Sequence, residues 1–563
     1  MTPRPMTWLV SLLAASLPLP SAAKATGNEG VPKLGAVASE SAVCSRIGTQ
    51  LLQSGGSAAD AIIGTILCVG TVAMYHSGIG GGGFMTIRGP DGQFETVDFR
   101  EVAPAAAFED MFGNNSQASM VGGLASGVPG ELRGLEYLHS KYGKLEWFQV
   151  VEPVVHLARF GFVVTEDLAT RMASPDDASF LTEDPSWALD FAPRGRLLQQ
   201  GEIMTRKRYA DTLEAIALHG VDAFYSGPIA QATIAGLRAR NGTMTMEDLA
   251  NYTVVHREPI HLNYRGYKLT SCNAPSGGIV ALSALNILSN YDSLGDPSQF
   301  NLSTHRLDEA IRFAYGQRTK LGDPSFVDVA NLTASMVSPE HGAYLRSRIS
   351  DLTTQELPYY DPEGLESLDT PGTSHMVAAD KSGLAISLTT TVNLLFGSQV
   401  MIPETGIVMN DQMNDFSIPG VSNGFGYIPS PSNYIRPGKR PLSSISPIIA
   451  ETPDGKLLFS LGAAGGSRIT TATIQNTIHL LDRHMNMAEA LRQPRLHDQL
   501  VPTMVTFEYA FDNSTVAYMK SLHHNVSWVP PGQSLAQGVR LLPNGTFEAA
   551  GEPRLVASGG FAV

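Results

Sequence analysis

The stretch from Asp369 to Ser417 constrains this chain more than any other. Pro371-Gly372 is a turn signal. Two short strands follow it, Met376 to Ala379 and Ala385 to Val392, with Asp380-Lys381-Ser382-Gly383 supplying the turn between them. Thr373 therefore stands just after a glycine, at the mouth of a β-hairpin. Two readings of it are open on this stretch alone. It is a strand-opening threonine, at a position where Thr is favoured anyway, or it is a nucleophile. A hydroxyl nucleophile needs a base beside it. Cleavage between Gly372 and Thr373 would supply one, because the freed α-amino group, with a reference pKa near ~8, lies next to Oγ. Glycine before that bond also lets the backbone adopt the conformation such an attack requires.

The other sequence signals for chemistry are weak. The chain has no His-Glu-x-x-His and no Cys-x-x-Cys, so no metal or cofactor is expected. His523-His524 reads as an isolated surface pair. Gly78 to Gly83 formally satisfies G-x-G-x-x-G, but it follows a helix and precedes a strand, the wrong context for a dinucleotide. A close backbone crossing is the better reading. Gly420-Val421-Ser422-Asn423-Gly424 matches Gly-x-Ser-x-Gly inside a long loop, without the sharp strand-to-helix turn that exposes a nucleophile. A net charge of −14 argues against a nucleic-acid partner. The 563 residues, 43% hydrophobic and 16% charged, are enough for a large globular body.

Residues 1–25 read as a secretory signal, with Arg4, an apolar core from Trp8 to Leu19 and a small-x-small site at Ala23-Lys24-Ala25. That core is short for a membrane span, which needs ~20 residues. Release, anchoring or delivery to a vacuole-like compartment are all open. Eight N-x-Ser/Thr sequons fit a glycosylated surface, at Asn114, Asn241, Asn251, Asn301, Asn331, Asn513, Asn525 and Asn544. The three cysteines make one pair and one leftover in an oxidising compartment. Cys44 and Cys68 lie on consecutive helical segments, where a disulfide would contribute about 3 kcal/mol.

Residues 26 to 36 read as a loose tail. A helix from Ser39 to Ser54 ends at Gly55-Gly56, and Ser57 with Asp60 opens a second, wholly apolar helix running to about Tyr75. Phe84 to Arg88 and Gln93 to Asp98 read as strands. The middle, from Glu131 to Ser350, is mostly helical, interrupted by a turn at Ala274 to Gly278. Residues 352–370 form an acidic, exposed loop and Ser417 to Gly438 a long one. Strands at Ile445 to Ala450 and Lys456 to Leu461 lead to Gly465-Gly466 and a helix from Ile469 to Leu480. A glycine pair entering a helix offers free N–H groups to an oxyanion.

Several motifs now agree in order and spacing. Thr373-Ser374-His375, Thr391-Val392-Asn393, Asn410 to Phe416, Lys439 to Ser444 and Gly465-Gly466 resemble those of gamma-glutamyltransferases, N-terminal-nucleophile hydrolases also called glutathione hydrolases. The resemblance extends from Gly55-Gly56-Ser57 through Arg100-Glu101-Val102-Ala103-Pro104 to Pro494-Arg495-Leu496-His497, nearly the whole mature chain. It implies an α+β fold: a four-layer αββα sandwich with a mostly helical large-subunit periphery. It also implies a precursor that cuts itself into a large subunit (26–372) and a small catalytic one (373–563), interlocked as a heterodimer. By resemblance Thr373 is the nucleophile and its α-amine the base, Thr391 assists it, and Gly465 and Gly466 form the oxyanion hole. Arg100, Ser443 and Ser444 resemble the groups holding a γ-glutamyl α-carboxylate, and Asn393, Gln412 and Asp415 those around its α-amino group. Gln412 stands where some relatives carry Glu, which leaves Asp415 as the principal charged partner of the ammonium.

The residue types suit those roles. A donor with a carboxylate and an ammonium needs a cation with hydroxyls at one end and carboxylate or amide oxygens at the other. The expected substrates are glutathione and related γ-glutamyl compounds, with water, an amino acid or a dipeptide as acceptor. The alternatives are another acylase on the same scaffold, cleaving glutaryl-cephalosporins or polyglutamate, and a non-catalytic secreted glycoprotein. A glutaryl group has no ammonium for Gln412 and Asp415 to recognise.

Overall fold

The computed structural model describes residues 34–175, 177–366, 372–420 and 428–563. The expected signal sequence, Asp369 to Pro371, and Val421 to Gly424 of the Gly-x-Ser-x-Gly match lie outside the described residues. The described chain opens on a strand, β1 (Gly35–Ser39), where a loose tail was expected up to residue 36. Its small side chains are buried because two strands from far along the chain flank it on both sides.

Helices α1 (Ala42–Gln53) and α2 (Ala58–Val72) follow. The expected capping box closes: Ser57 Oγ accepts from Asp60 N, and the Asp60 carboxylate accepts from Ser57 N at 2.7 Å. The same carboxylate accepts from Lys144 N, so the cap also ties down a later loop. α2 is buried from Ala58 to Thr71, as its all-round apolar surface requires. A Cys44–Cys68 disulfide joins the two helices, and Cys272 is buried and free.

β2 (Gly82–Arg88) and β3 (Phe94–Asp98) come next. The helical middle is broken by β4 (Val255–Arg257), β5 (Ile260–Tyr264) and β6 (Tyr267–Ser271), then resumes as α3 (Gly278–Leu288) and α4 (Phe300–Arg318). The expected hairpin is β7 (Ser374–Asp380) and β8 (Ala385–Thr391). β9 (Ile448–Glu451), β10 (Leu457–Ala464), α5 (Arg468–Leu481), β11 (Leu535–Leu541), β12 (Phe547–Ala550) and β13 (Gly559–Ala562) complete the core.

The strands form two antiparallel sheets, in the orders β13-β1-β7-β8-β2-β3-β4 and β12-β11-β10-β9-β6-β5. Strand alternation sorts the side chains. Met376 and Ala378 of β7 pack into the core shared with α1 and α2, whereas Val377 and Ala379 meet Ile449 and Val539 of the second sheet. α3 and α5 cover that sheet's other face through Leu269, Phe459 and Leu461. The layers are therefore α, β, β, α.

Two surface expectations fail. Within the acidic stretch 352–370, Asp361 and Glu366 are buried, and Asp361 accepts from Glu363 N and Leu365 N in a tight turn. Of the pair His523-His524, only His523 is exposed. His524 is buried against His305, with 2.7 Å between His305 Nδ1 and His524 Nε2, because α4 supplies polar partners that local sequence does not reveal.

Candidate active site

The site begins where two backbones touch. Glycine is required along the run at 78–83, since a Cβ on Gly81 would lie 2.1 Å from Thr391 O and one on Gly83 2.0 Å from Thr389 O. That closeness is the crossing expected from the sequence. It seats β2 against β8 and fixes the end of β8 at Thr391. In the β7–β8 ladder Thr390 faces Ser374, so the same register continued by one residue sets Thr391 opposite Thr373.

Gly372 and Thr373 both have positive φ, +123° and +135°. A Cβ on Gly372 would lie 1.8 Å from Asn393 O, so no other residue fits there. A β-branched residue at such φ is an outlier, with strain of order 1–3 kcal/mol. The strain is held at the bond expected to break. Thr391 Oγ1 accepts from Asn393 N at 2.7 Å, which turns the chain after β8 and leaves Asn393 at φ +77°.

The segment after this turn is fixed by two residues that sequence reasoning quoted but gave no role. Asn410 donates to Gly80 O and Gly127 O and accepts from Gly127 N and Gln412 N, satisfying its whole amide. Asp411 accepts from Leu394 N, while Asn393 Nδ2 donates to Asp411 O. Burial raises the Asp411 carboxyl far above its ordinary range.

A short 3₁₀ turn, Gln412–Asp415, then presents the acidic end of the site. Asp415 Oδ2 accepts from Gln412 Nε2 at 2.6 Å and pairs with Arg100 Nη2. Arg100 and Asp415, expected at opposite ends of a donor, are thus in direct contact here. Burial raises the Asp415 pKa against the pull of Arg100. Asp415 Oδ1 and Gln412 Oε1 are buried acceptors that no donor among the described residues reaches, the capacity an ammonium would fill.

Ser443 and Ser444 rest on the Ala274 to Gly278 turn. Ser443 N donates to Pro275 O, and a Cβ on Gly277 would strike the Ser444 backbone. Arg318, the last residue of α4, donates from Nη2 to Ser444 Oγ at 3.2 Å. Arg318, Ser444 and Asp415 line one cavity. Nothing local marked Arg318; only the helical periodicity of α4 hinted that its last turn faces inward.

Contacts between the sheets climb toward the same end. Ser460 Oγ donates to Ile386 O, Ser387 Oγ to Leu461 O, and His375 packs on Gly462. Each step up β10 is a step up β8, so Gly465-Gly466, just past β10, lies at the end that holds Thr391 and Thr373. Gly465 and Gly466 have φ of +119° and +59°, and a Cβ on Gly465 would lie 2.5 Å from Gln533 O. Tyr315 of α4 donates to Ser467 O at 2.6 Å and braces the turn from the other side.

Away from this site, His305, Glu309 and His524 bring potential ligand atoms within 4.8 Å of one another. Those atoms already have hydrogen-bond partners: His305 bonds His524 and Ser350 O, and Glu309 accepts the hydroxyls of Thr354 and Tyr360.

Comparison with known proteins identifies the family. The chain is 57% identical to the glutathione hydrolase proenzyme of Arthroderma benhamiae, over 94% of this chain and 93% of that one. It is 50% identical to the glutathione hydrolase of Aspergillus flavus, over 98% and 93%. The crystal structure of a cephalosporin acylase from Bacillus halodurans shares the fold, with a TM-score of 0.81 over 98% of this chain and 99% of that one at 24% identity. The Gamma-glutamyltranspeptidase family model matches residues 44–560. The chain belongs to the gamma-glutamyltranspeptidase family and carries its N-terminal-nucleophile hydrolase fold.

Proposed function

We propose that the protein cleaves the γ-glutamyl amide of glutathione and related compounds through a γ-glutamyl ester on Thr373. The observation that carries this reading is the strained Gly372–Thr373 junction, at the end of a hairpin whose ladder runs to the Thr390–Ser374 pair. In the precursor, Thr373 Oγ attacks the Gly372 carbonyl carbon and the peptide bond shifts to an ester. Water then hydrolyses that ester, leaving a Gly372 carboxylate and a Thr373 α-amine. Residues 26–372 and 373–563 become the large and small subunits.

In turnover the α-amine takes the Oγ proton as Oγ attacks the γ-carbonyl. The N–H groups of Gly465 and Gly466 hold the oxyanion, and collapse expels the amine with the proton returned to it. Water, an amino acid or a dipeptide resolves the ester. Arg100, Ser443 and Ser444 hold the donor's α-carboxylate. Asn393, Gln412 and Asp415 hold its ammonium, which supports a γ-glutamyl over a glutaryl donor. An ammonium entering beside Asp415 Oδ1 and Gln412 Oε1 gives both buried acceptors a donor.

The protein is taken to traverse the secretory pathway. A formed Cys44–Cys68 disulfide supports this, as do the seven of eight sequon asparagines that are exposed; Asn301 is half-buried. Among the described residues no helix is long and apolar enough to cross a membrane.

Thr373→Ala tests the central assignment. It should abolish chain cleavage on a denaturing gel and lower γ-glutamyl-anilide turnover by more than about 10⁴-fold. Normal processing in that variant would show that the nucleophile lies elsewhere.

A further inference from the structure

Arg318 is the one donor-cavity cation among the described residues that the ion pairs leave uncommitted. Arg100, the other guanidinium of the site, is paired with Asp415. Arg318 is 6% exposed, and no carboxylate of the described residues lies within ion-pair distance of it. Its Nη2 donates to Ser444 Oγ at 3.2 Å, and its Nε has no acceptor. The Glu366 carboxyl lines the same cavity but stays outside ion-pair range. A buried charge with no direct ion-pair partner is costly, and burial pulls the Arg318 pKa down from its ordinary value against the opposing pull of Asp415. A guanidinium in that state, with a serine hydroxyl beside it, is built for a planar carboxylate.

Resting on the γ-glutamyl reading above, we propose that Arg318 is a specificity-determining residue that makes the α-carboxylate of the donor a requirement. Ser444 then acts as part of an Arg318–Ser444 unit: the donated hydrogen bond orients its Oγ, so the hydroxyl proton points to the incoming carboxylate. Arg100 and Asp415 remain a pair of opposite charges that the zwitterionic donor bridges, and Arg318 supplies a further positive charge for the carboxylate. Placement at the end of α4 fits this role, because the last turn of a helix favours a cation even before ligand arrives.

The test compares two donors that differ only at the carboxylate: L-γ-glutamyl-p-nitroanilide and 4-aminobutanoyl-p-nitroanilide. The ratio of their kcat/KM values does not depend on the active fraction, so partial misfolding of a variant does not distort it. The processed wild-type enzyme should favour the γ-glutamyl donor by at least about 100-fold, and Arg318→Gln should lower that ratio at least about tenfold. Arg318→Lys keeps the charge but not the fork and should fall between the two; it also decides the matter should the glutamine variant fail to mature. Ratios unchanged in both variants would overturn the assignment and leave discrimination to Arg100, Ser443 and Ser444. A wild-type enzyme that turns over neither donor would overturn the γ-glutamyl reading itself, a different result from an unchanged ratio.

Discussion

Helix α4 carries two buried polar clusters, and they differ in what they face. At its C-terminal end Tyr315 and Arg318 reach the Ser467 carbonyl and the Ser444 hydroxyl, and the surrounding groups keep unused hydrogen-bonding capacity beside a cavity. At the other end His305, Asp308, Glu309 and Arg312 pack with His524; Asp308 and Arg312 also keep unfilled polar atoms, but none of these residues lines that cavity. Ser350 O can only accept, so His305 Nε2 is the donor there and its Nδ1 accepts from His524 Nε2. His524 Nδ1 then faces Asp308 Oδ2 at 2.9 Å, without the alignment of a hydrogen bond. Both clusters shift pKa values strongly. Perturbed titration alone therefore does not locate the chemistry; open capacity facing a cavity does.

Breaking the cavity end should change turnover far more than folding. Arg100→Ala should raise KM for a γ-glutamyl anilide by about 100-fold, since it removes a charge-assisted partner and strands Asp415. Maturation on a denaturing gel should stay largely intact. An unchanged KM would remove Arg100 from the site.

Breaking the far end should do the reverse. Asp308→Asn should cost about 1–3 kcal/mol of stability in denaturant unfolding, with KM unchanged. Its pH dependence gives a sharper signature. Burial pushes the Asp308 carboxyl up to about 7, so the folded state holds a proton that the unfolded state releases near its ordinary 3.8. This contribution is complete below pH ~4 and is lost as pH rises toward 7. The deficit of the asparagine variant should therefore be largest near pH 4 and shrink as pH approaches 7. His524, pushed down to about 4 by burial, has the opposite slope. A deficit that grew with pH would show that Asp308 is ionised in the fold.

The smallest effect sharpens the cavity end. Gln412→Glu restores a second negative charge beside Asp415 and should lower KM a few-fold, about 0.5–1 kcal/mol, through the donor ammonium. A raised KM would mean that the amide's donated bond to Asp415 matters more than charge.

What the sequence disclosed follows the range of the interactions. The Ser57–Asp60 box, the hairpin and the Cys44–Cys68 pairing depend on neighbours within a turn or two helices, and each could be read from spacing. β1 could not, because Gly-Ala-Val-Ala-Ser has little of its own to mark a strand and becomes one only between β7 and β13. His524 and Asp361 were placed on the surface for the same reason: their partners come from distant segments. Within the site, residues in contiguous motifs were legible. Arg318 and Tyr315 were not, since helical spacing gives direction but does not name what lies opposite.

The position of β1 has one more consequence. It belongs to the part of the chain before residue 373, yet it is hydrogen-bonded on both sides by strands from after it, β7 and β13. In the second sheet β6 is likewise zipped to β9. Cutting Gly372–Thr373 therefore frees no fragment and changes little in the native state. It changes the unfolded state, which becomes two chains. Refolding is then a bimolecular encounter, diluted by every micrometre the halves diffuse apart, while unfolding is unimolecular as before. Such a cut would act as a ratchet: the enzyme would assemble once as a single chain, and its lifetime afterwards would be set by how slowly those ladders open.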